Sequence, residues 1–187
     1  MLHKLLESMK IVLSGGPSIG KTTLINHIKD ELGFRVIPDY MDVVLAEQGL
    51  KRPKEMDDES ARKIRIESLL RKVNAESISE NFISDKGVVD YFAYWLAYTS
   101  NSATDEENDS FKETVLSHCN IYDLIIIPPI GRFEIKDNSI RLINPEHQLR
   151  IHALIKGLYS EFEIPWIEYT LDLNDKSNKV LKDLKII

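Results

Sequence analysis

The sequence predicts an α/β fold, a parallel sheet wound with helices on both faces, and three observations predict it. Short apolar runs alternate with stretches of helical periodicity from one end of the chain to the other. Those runs are apolar throughout, as strands covered on both faces are. A glycine-rich turn, Gly15-x-x-x-x-Gly20-Lys21-Thr22, joins the first run to the first helix.

The strand candidates are "KIVLS", "FRVIPD", "NFISD", "YDLIIIP" and "PWIEYT". Between them, Thr22 to Leu32 carries Leu24, Ile25, Ile28 and Leu32 at helical spacing. "YMDVVLAEQG" continues helically after "IPD". Asp58 to Ser79 reads as a long amphipathic helix, with Arg62, Arg65 and Arg71 set opposite Ile66, Leu69, Leu70 and Val73. Val88 to Ser100 is aromatic-rich and Glu107 to Cys119 precedes the fourth strand. Pro145 opens a helix carrying Leu149, Ile151, Leu154, Ile155 and Leu158, and "NDKSNKVLKDL" predicts one more at the C-terminus. Alternation of this kind implies right-handed crossovers, with ligands bound beyond the carboxyl ends of the strands.

The 187 residues suit a single domain, with residues 1–8 read as an extension ahead of the first strand and about 129–146 as a lid-like segment. A formal charge of −6 does not favour a broad nucleic-acid footprint, although a local basic groove stays open. The lone Cys119 excludes an internal disulfide and a thiolate metal cluster. The five histidines are scattered, and His147 and His152 lack the i, i+4 spacing of a helical metal pair. No apolar run reaches a membrane span and no secretory signal is present, so the expected location is cytoplasmic. A homodimer is compatible with the sequence, which specifies no assembly.

The turn carries the chemistry. Backbone amides of Gly15, Gly16, Pro17's neighbours Ser18, Ile19 and Gly20, and the first residues of the helix, Lys21, Thr22 and Thr23, offer a concentrated positive potential to a polyphosphate. Gly15, Gly16 and Gly20 permit close approach, Lys21 brings a mobile charge to the β- and γ-phosphates, and the Thr22 hydroxyl suits Mg²⁺. "LSGG" also looks like a transporter-ATPase signature, but that signature lies far downstream of its own phosphate loop, whereas here the two overlap.

At the strand ends, Asp39 in "IPDY" can orient or deprotonate an attacking hydroxyl, or cap the helix that follows. Asp85 in "NFISDKG" sits where a metal-holding acid is needed opposite Thr22, with an ordinary turn Asp as the alternative. Lys86 can reach a phosphate. In "GVVDYFAYWLAY", Asp90 and Tyr94 are the first candidates for contact with an acceptor, while the density of rings also fits core packing. Arg65 on the long helix can bind an acceptor phosphate, though arginines at that spacing also make a solvated face. Arg132, Arg141 and Arg150 are the cations of the lid-like region; Arg141 is the one expected over the transferring phosphoryl group.

Taken together, "GGPSIGKTT", the acid in "IPDYMDVV", "SDKGVVDYFAYWLAY" and the arginines of the lid-like region resemble the P-loop nucleoside and nucleotide kinases, which include thymidylate kinase, deoxynucleoside kinase and ribosylnicotinamide kinase types. The resemblance spans most of residues 9–187. It implies a three-layer P-loop fold with five parallel strands in the order 2-3-1-4-5, and Asp39 as base or acceptor ligand. The sequence departs from the families' acid-arginine pair, having Asp85-Lys86, a point charge where the family pattern has a planar fork.

The expected activity is ATP- and Mg²⁺-dependent phosphate transfer to a nucleoside, a nucleotide or a related small metabolite. Two alternatives are open. A regulatory NTPase lacks support from a guanine-selecting Asn-Lys-x-Asp, since "NKVL" at Asn178 has no final acid. A kinase acting on a polynucleotide or a modified base in DNA runs against the acidic balance.

Overall fold

The computed structural model describes residues 8–50, 56–131 and 144–169. Four parallel strands form one sheet in the order β2-β3-β1-β4: β1 Lys10–Leu13, β2 Arg35–Ile37, β3 Phe82–Asp85 and β4 Leu124–Ile126. Six helices flank them: α1 Lys21–Leu32, α2 Tyr40–Glu47, α3 Asp58–Ser77, α4 Val88–Tyr98, α5 Asp105–His118 and α6 Pro145–Glu161. A 3₁₀ turn at Cys119–Ile121 leads into β4.

Side-chain alternation in β1 divides the core. Ile11 and Leu13 face Leu24, Ile25 and Ile28 of α1, while Val12 faces the opposite way into a larger cluster built from α4, α5 and α6. Trp95 is fully buried there, stacked on Phe111 at 4.3 Å between centroids, with its indole N–H donated to Asn108. Both faces of the strands are therefore covered, which explains why their sequences carry unbroken apolar runs.

Three expectations are corrected. Among the described residues the sheet has four strands, not five. "PWIEYT" contributes only a parallel bridge from Ile167 to Ile126, with Ile167 N–H donating to the Ile125 carbonyl and its own carbonyl accepting from Ile127 N–H. Pro165 brings no amide donor to this edge, and the segment is described only through Tyr169. The position next to β4 is the one the order 2-3-1-4-5 assigns, but the segment is not a strand among the described residues. The second correction concerns α3. Its inward face is Ile64, Arg65, Ser68, Leu69, Lys72, Ala75 and Glu76, and Leu70 is 54 % exposed. Helix α5 also starts earlier than expected, at Asp105, because Thr104 and Glu107 form a capping box. The predicted C-terminal helix and residues 1–7 lie outside the described residues.

The polar half of the inward face of α3 forms a buried network. Lys72 Nζ donates to the carbonyls of Pro38 and Asp85, both at 2.9 Å, and so ties the ends of β2 and β3 together. Glu76 lies 3.8 Å from Lys72 and accepts from Ser84, from His118 at 2.8 Å and from Tyr122 at 2.7 Å. Burial pushes the Lys72 amine below its ordinary range, against the pull of Glu76, Asp39 and Asp85. Removing one member of a buried pair leaves the other charge uncompensated, at a cost of about 3–5 kcal/mol. Glu76→Ala is therefore expected to lose about that much stability in urea unfolding; a loss below about 1 kcal/mol, the scale of an exposed pair, would contradict the network's role.

Candidate functional site

The phosphate loop leaves β1 at Ser14 and enters α1 at Lys21. Left-handed backbone at Gly15 (φ 110°), Ser18 (φ 57°) and Gly20 (φ 89°) wraps it into a cradle. Helix α1 has Gly20 as N-cap, no side-chain cap and no acid in its first turn. Its leading amides are thus left to an anion, in keeping with the positive end of the helix dipole. Lys21 is buried, and its Nζ donates to the carbonyls of Gly15 at 2.9 Å and Gly16 at 2.6 Å.

The loop is held from two sides. On one, Asp90 lies fully buried at the start of α4: its carboxylate accepts from Ser14 Oγ at 2.5 Å, from Gly15 N–H at 2.9 Å and from Gly87 N–H at 3.0 Å. Burial pushes this carboxyl above its ordinary range, against those hydrogen bonds and the charge of Lys21. On the other side stands α6. Gln148 donates to the Pro17 carbonyl at 2.8 Å, and Gly16 N–H points at His152 Nδ1 over a long 3.4 Å. Burial, with the charges of Lys156 and Lys21, lowers the His152 pKa to about 4, so the ring is neutral and its Nδ1 open to accept. A Cβ at Gly16 would meet the Gln148 carbonyl oxygen at 2.9 Å and His152 Cβ at 3.1 Å. The glycine is what lets α6 lie against the loop.

Beside the loop, Thr22, Asp39 and Asp85 line one cleft of about 580 Å³ together with Asp42, Pro38 and Ile25. Asp85 ends β3 directly beside Leu13, and Thr22 is exposed in the first turn of α1. No group of three or more metal-ligating side chains exists among the described residues. Mg²⁺ in phosphate sites takes one or two protein ligands, its remaining positions going to phosphate and water, so a hydroxyl and a carboxylate across one cleft fit that need.

Asp39 caps α2, accepting from Met41 N–H at 3.1 Å, and also receives the Tyr91 hydroxyl at 2.9 Å and Lys86 Nζ at 2.5 Å. The cap reading holds, and the same carboxylate lines the cleft. Burial alone would raise its pKa, but the charge and hydrogen bond of Lys86, with Lys72 and Tyr91, outweigh burial and hold it below the ordinary carboxylate range. Lys86 is raised in turn: the Asp39 charge overcomes the effect of burial. Its ammonium lies 4.8 Å from the centroid of Tyr94, which stacks on Tyr98 at 6.3 Å. Arg65 and Arg150 both lie over Tyr98, and Arg150 donates to its hydroxyl at 2.9 Å.

The sequence-predicted residues thus separate into groups. Thr22, Asp39 and Asp85 share the cleft; Lys86, Tyr94, Arg65 and Arg150 form a row beside it; Asp90 is turned inward under the loop; Thr23 is exposed on α1. Arg132 and Arg141, with most of the lid-like segment, lie outside the described residues. Sequence reasoning missed Ser14, Lys72, Gln148 and His152. For Lys72 the i, i+4 pair with Glu76 was visible, but it has the spacing of a surface salt bridge. Gln148 and His152 act across more than 130 residues and leave no local signal.

With this geometry in hand, comparison with known proteins finds a match to the AAA domain over residues 10–176. The chain belongs to the AAA domain family. The nucleoside-triphosphatase THEP1 of Aquifex aeolicus (strain VF5) is 24 % identical over 133 residues, 71 % of this chain and 67 % of the relative. Among solved structures, NadR in complex with NR superposes on 93 % of the chain with a TM-score of 0.67 at 15 % identity; the chain spans 46 % of that protein, about half its length. Deoxyadenosine kinase from M. mycoides with bound dCTP matches over 96 % of this chain and all of its own, with a TM-score of 0.58 and 16 % identity. At such identities the likeness is one of fold, and the fold of this AAA domain is that of the P-loop nucleoside and nucleotide kinases. None of its described helices is long and apolar enough to cross a membrane.

The Asp39–Lys86 pair sets a pH dependence. A carboxyl held below its unfolded value of about 3.9 contributes stability that is full above that value and is lost as pH falls through the folded one. The stability advantage of the wild type over Lys86→Met is expected to be full between about pH 5 and 7 and to shrink below about pH 4, measured as urea midpoints across pH. An advantage that is constant down to about pH 2 would show that the pair does not titrate through Asp39.

Proposed function

We propose that this AAA domain is an ATP- and Mg²⁺-dependent phosphotransferase whose acceptor is a nucleoside, a nucleotide or a related small metabolite. The observation that carries this reading is the ionised Asp39, aimed into the same cleft as Thr22 and Asp85 and pinned there by Lys86, Tyr91 and the start of α2. A carboxylate so placed accepts a hydrogen bond from an acceptor hydroxyl and orients it towards the donor phosphate. Its low proton affinity suits orientation, with the proton taken up only as the hydroxyl oxygen loses it in the transition state.

The loop amides and Lys21 hold the donor. Lys21 leaves the Gly15 and Gly16 carbonyls when phosphate oxygens offer better partners, and its charge follows the triphosphate. Thr22 and Asp85 would hold Mg²⁺, which neutralises charge on the phosphate oxygens when bound. The small-ligand kinases among the structural neighbours, which include deoxyadenosine kinase and thymidylate kinase from Ehrlichia chaffeensis, support an acceptor of this class.

Hydrolysis, with water as the acceptor, is the second reading, favoured by the nucleoside-triphosphatase relative. An assay of ADP release with and without a panel of nucleosides, nucleotides and small hydroxy metabolites separates the two. Transfer predicts phosphorylated acceptor, and Asp39→Asn is expected to lower kcat by about 10²–10⁴-fold while leaving Mg-ATP affinity within about twofold. ADP release unaffected by every acceptor, with inorganic phosphate as the sole product, would establish hydrolysis instead.

A further inference from the structure

The three arginines of α3 are treated differently by the fold. Arg62 pairs with Glu107 and donates to the Ser102 carbonyl, and Arg71 pairs with Glu47 and Glu67. Arg65 is the most enclosed of the three, 7 % exposed, and its Nε is buried with no hydrogen-bond partner. Among the described residues it has no ion pair. What it has is an aromatic neighbour: its guanidinium carbon lies 5.9 Å from the centroid of Tyr98. An arginine stays charged when buried, so a site without an anion carries the full desolvation cost, which an aromatic face offsets only in part.

The surroundings add positive charge. Arg150 approaches the same Tyr98 ring at 5.3 Å and donates to its hydroxyl, which also meets His147 Nδ1 at 2.7 Å. Lys86 stands at the other end of the Tyr94–Tyr98 pair. The first turns of α6 thus pack against α4 and bring a second cation to the ring that Arg65 approaches. Asp39 connects to Tyr98 through Lys86 and Tyr94 in steps of 2.5, 4.8 and 6.3 Å. That is the reach of a small metabolite.

From this cluster we propose that the acceptor carries an oxyanion, a phosphate ester or a carboxylate, which binds between Arg65 and Arg150 against Tyr98 while its hydroxyl lies at Asp39. The guanidinium fork of Arg65 supplies paired N–H donors to two oxygens, Arg150 supplies a second charge beside the same ring, and the tyrosine rings flank the body of the ligand. A neutral acceptor would leave Arg65 buried without its counterion. The inference rests on the phosphotransferase reading for the identity of the ligand as acceptor, but the anion site itself is testable by binding alone.

The experiment is calorimetric titration of the full chain, with the phosphate loop saturated by magnesium AMP-PNP, against three probes: a nucleoside 5′-monophosphate, the matching neutral nucleoside, and a small hydroxycarboxylic acid. The expected result is binding of at least one anionic probe at least tenfold tighter than the neutral nucleoside, with the stronger of the two identifying phosphate or carboxylate as the natural group. Arg65→Met is expected to remove that preference, and the exposed Arg150→Met, which carries no folding risk, to lower it several-fold, both with AMP-PNP affinity within twofold of wild type. Equal binding of charged and neutral probes, or an anion preference untouched by both substitutions, overturns the proposal. Failure of AMP-PNP to bind would instead refute the phosphotransferase reading, and the anion titrations, run without nucleotide, would still decide the site.

Discussion

A single buried carboxylate sets the geometry on which everything else depends. Asp90 accepts from Ser14 Oγ, Gly15 N–H and Gly87 N–H, so it joins the end of β1, the phosphate loop and the turn into α4 in one clasp. Burying an acid is costly, and the loop amides and hydroxyl that offset the cost are thereby fixed in place. The same clasp orients α4, because Gly87 is its N-cap and Asp90 its third residue. Tyr91, which positions Asp39, and Tyr94, which faces Lys86, follow directly on that helix. The phosphate loop and the Lys86–Tyr94 row are in this sense held by one helix.

Helix α6 completes the arrangement from the other side. Gln148 and His152 contact the loop at Pro17 and Gly16, while Arg150, between them in sequence, faces Tyr98. The phosphate loop and the cations around Tyr98 therefore share a second element, and a displacement of α6 would be felt at both. The buried Lys72 adds a third constraint by tying the carbonyls at the ends of β2 and β3, which carry Asp39 and Asp85 into the cleft.

How much of this was legible in the sequence depends on where the information lies. The phosphate loop is local: its glycines, lysine and threonine, between an apolar run and a helical one, specify both conformation and chemistry. Four of the five expected strands and the helices up to Glu161 follow from periodicity, and Asp39 announces its cap role by standing after a strand and before a helix. The inward charges of α3 were not legible, because Arg65, Lys72 and Glu76 carry residue types that ordinarily face water, and only tertiary partners such as Ser84, His118 and Tyr122 make Glu76 an interior group. Asp90 was expected to contact an acceptor, whereas it is fully buried and turned onto the loop, because its partners lie some 75 residues away and leave no local signal. Pro165 was the signal that the last apolar segment is a poor strand, and the apolar pattern obscured it.

A preformed, carboxylate-clasped loop of this kind is built to receive a nucleoside triphosphate. Calorimetry of Mg-ATP binding to the wild type and to Asp90→Ala, with circular dichroism confirming that both are folded, tests it most directly. The wild type is expected to bind saturably, and the affinity to be at least tenfold, about 1.4 kcal/mol, weaker without the clasp. Equal affinities in the two proteins, or no heat of binding in the wild type, would contradict it.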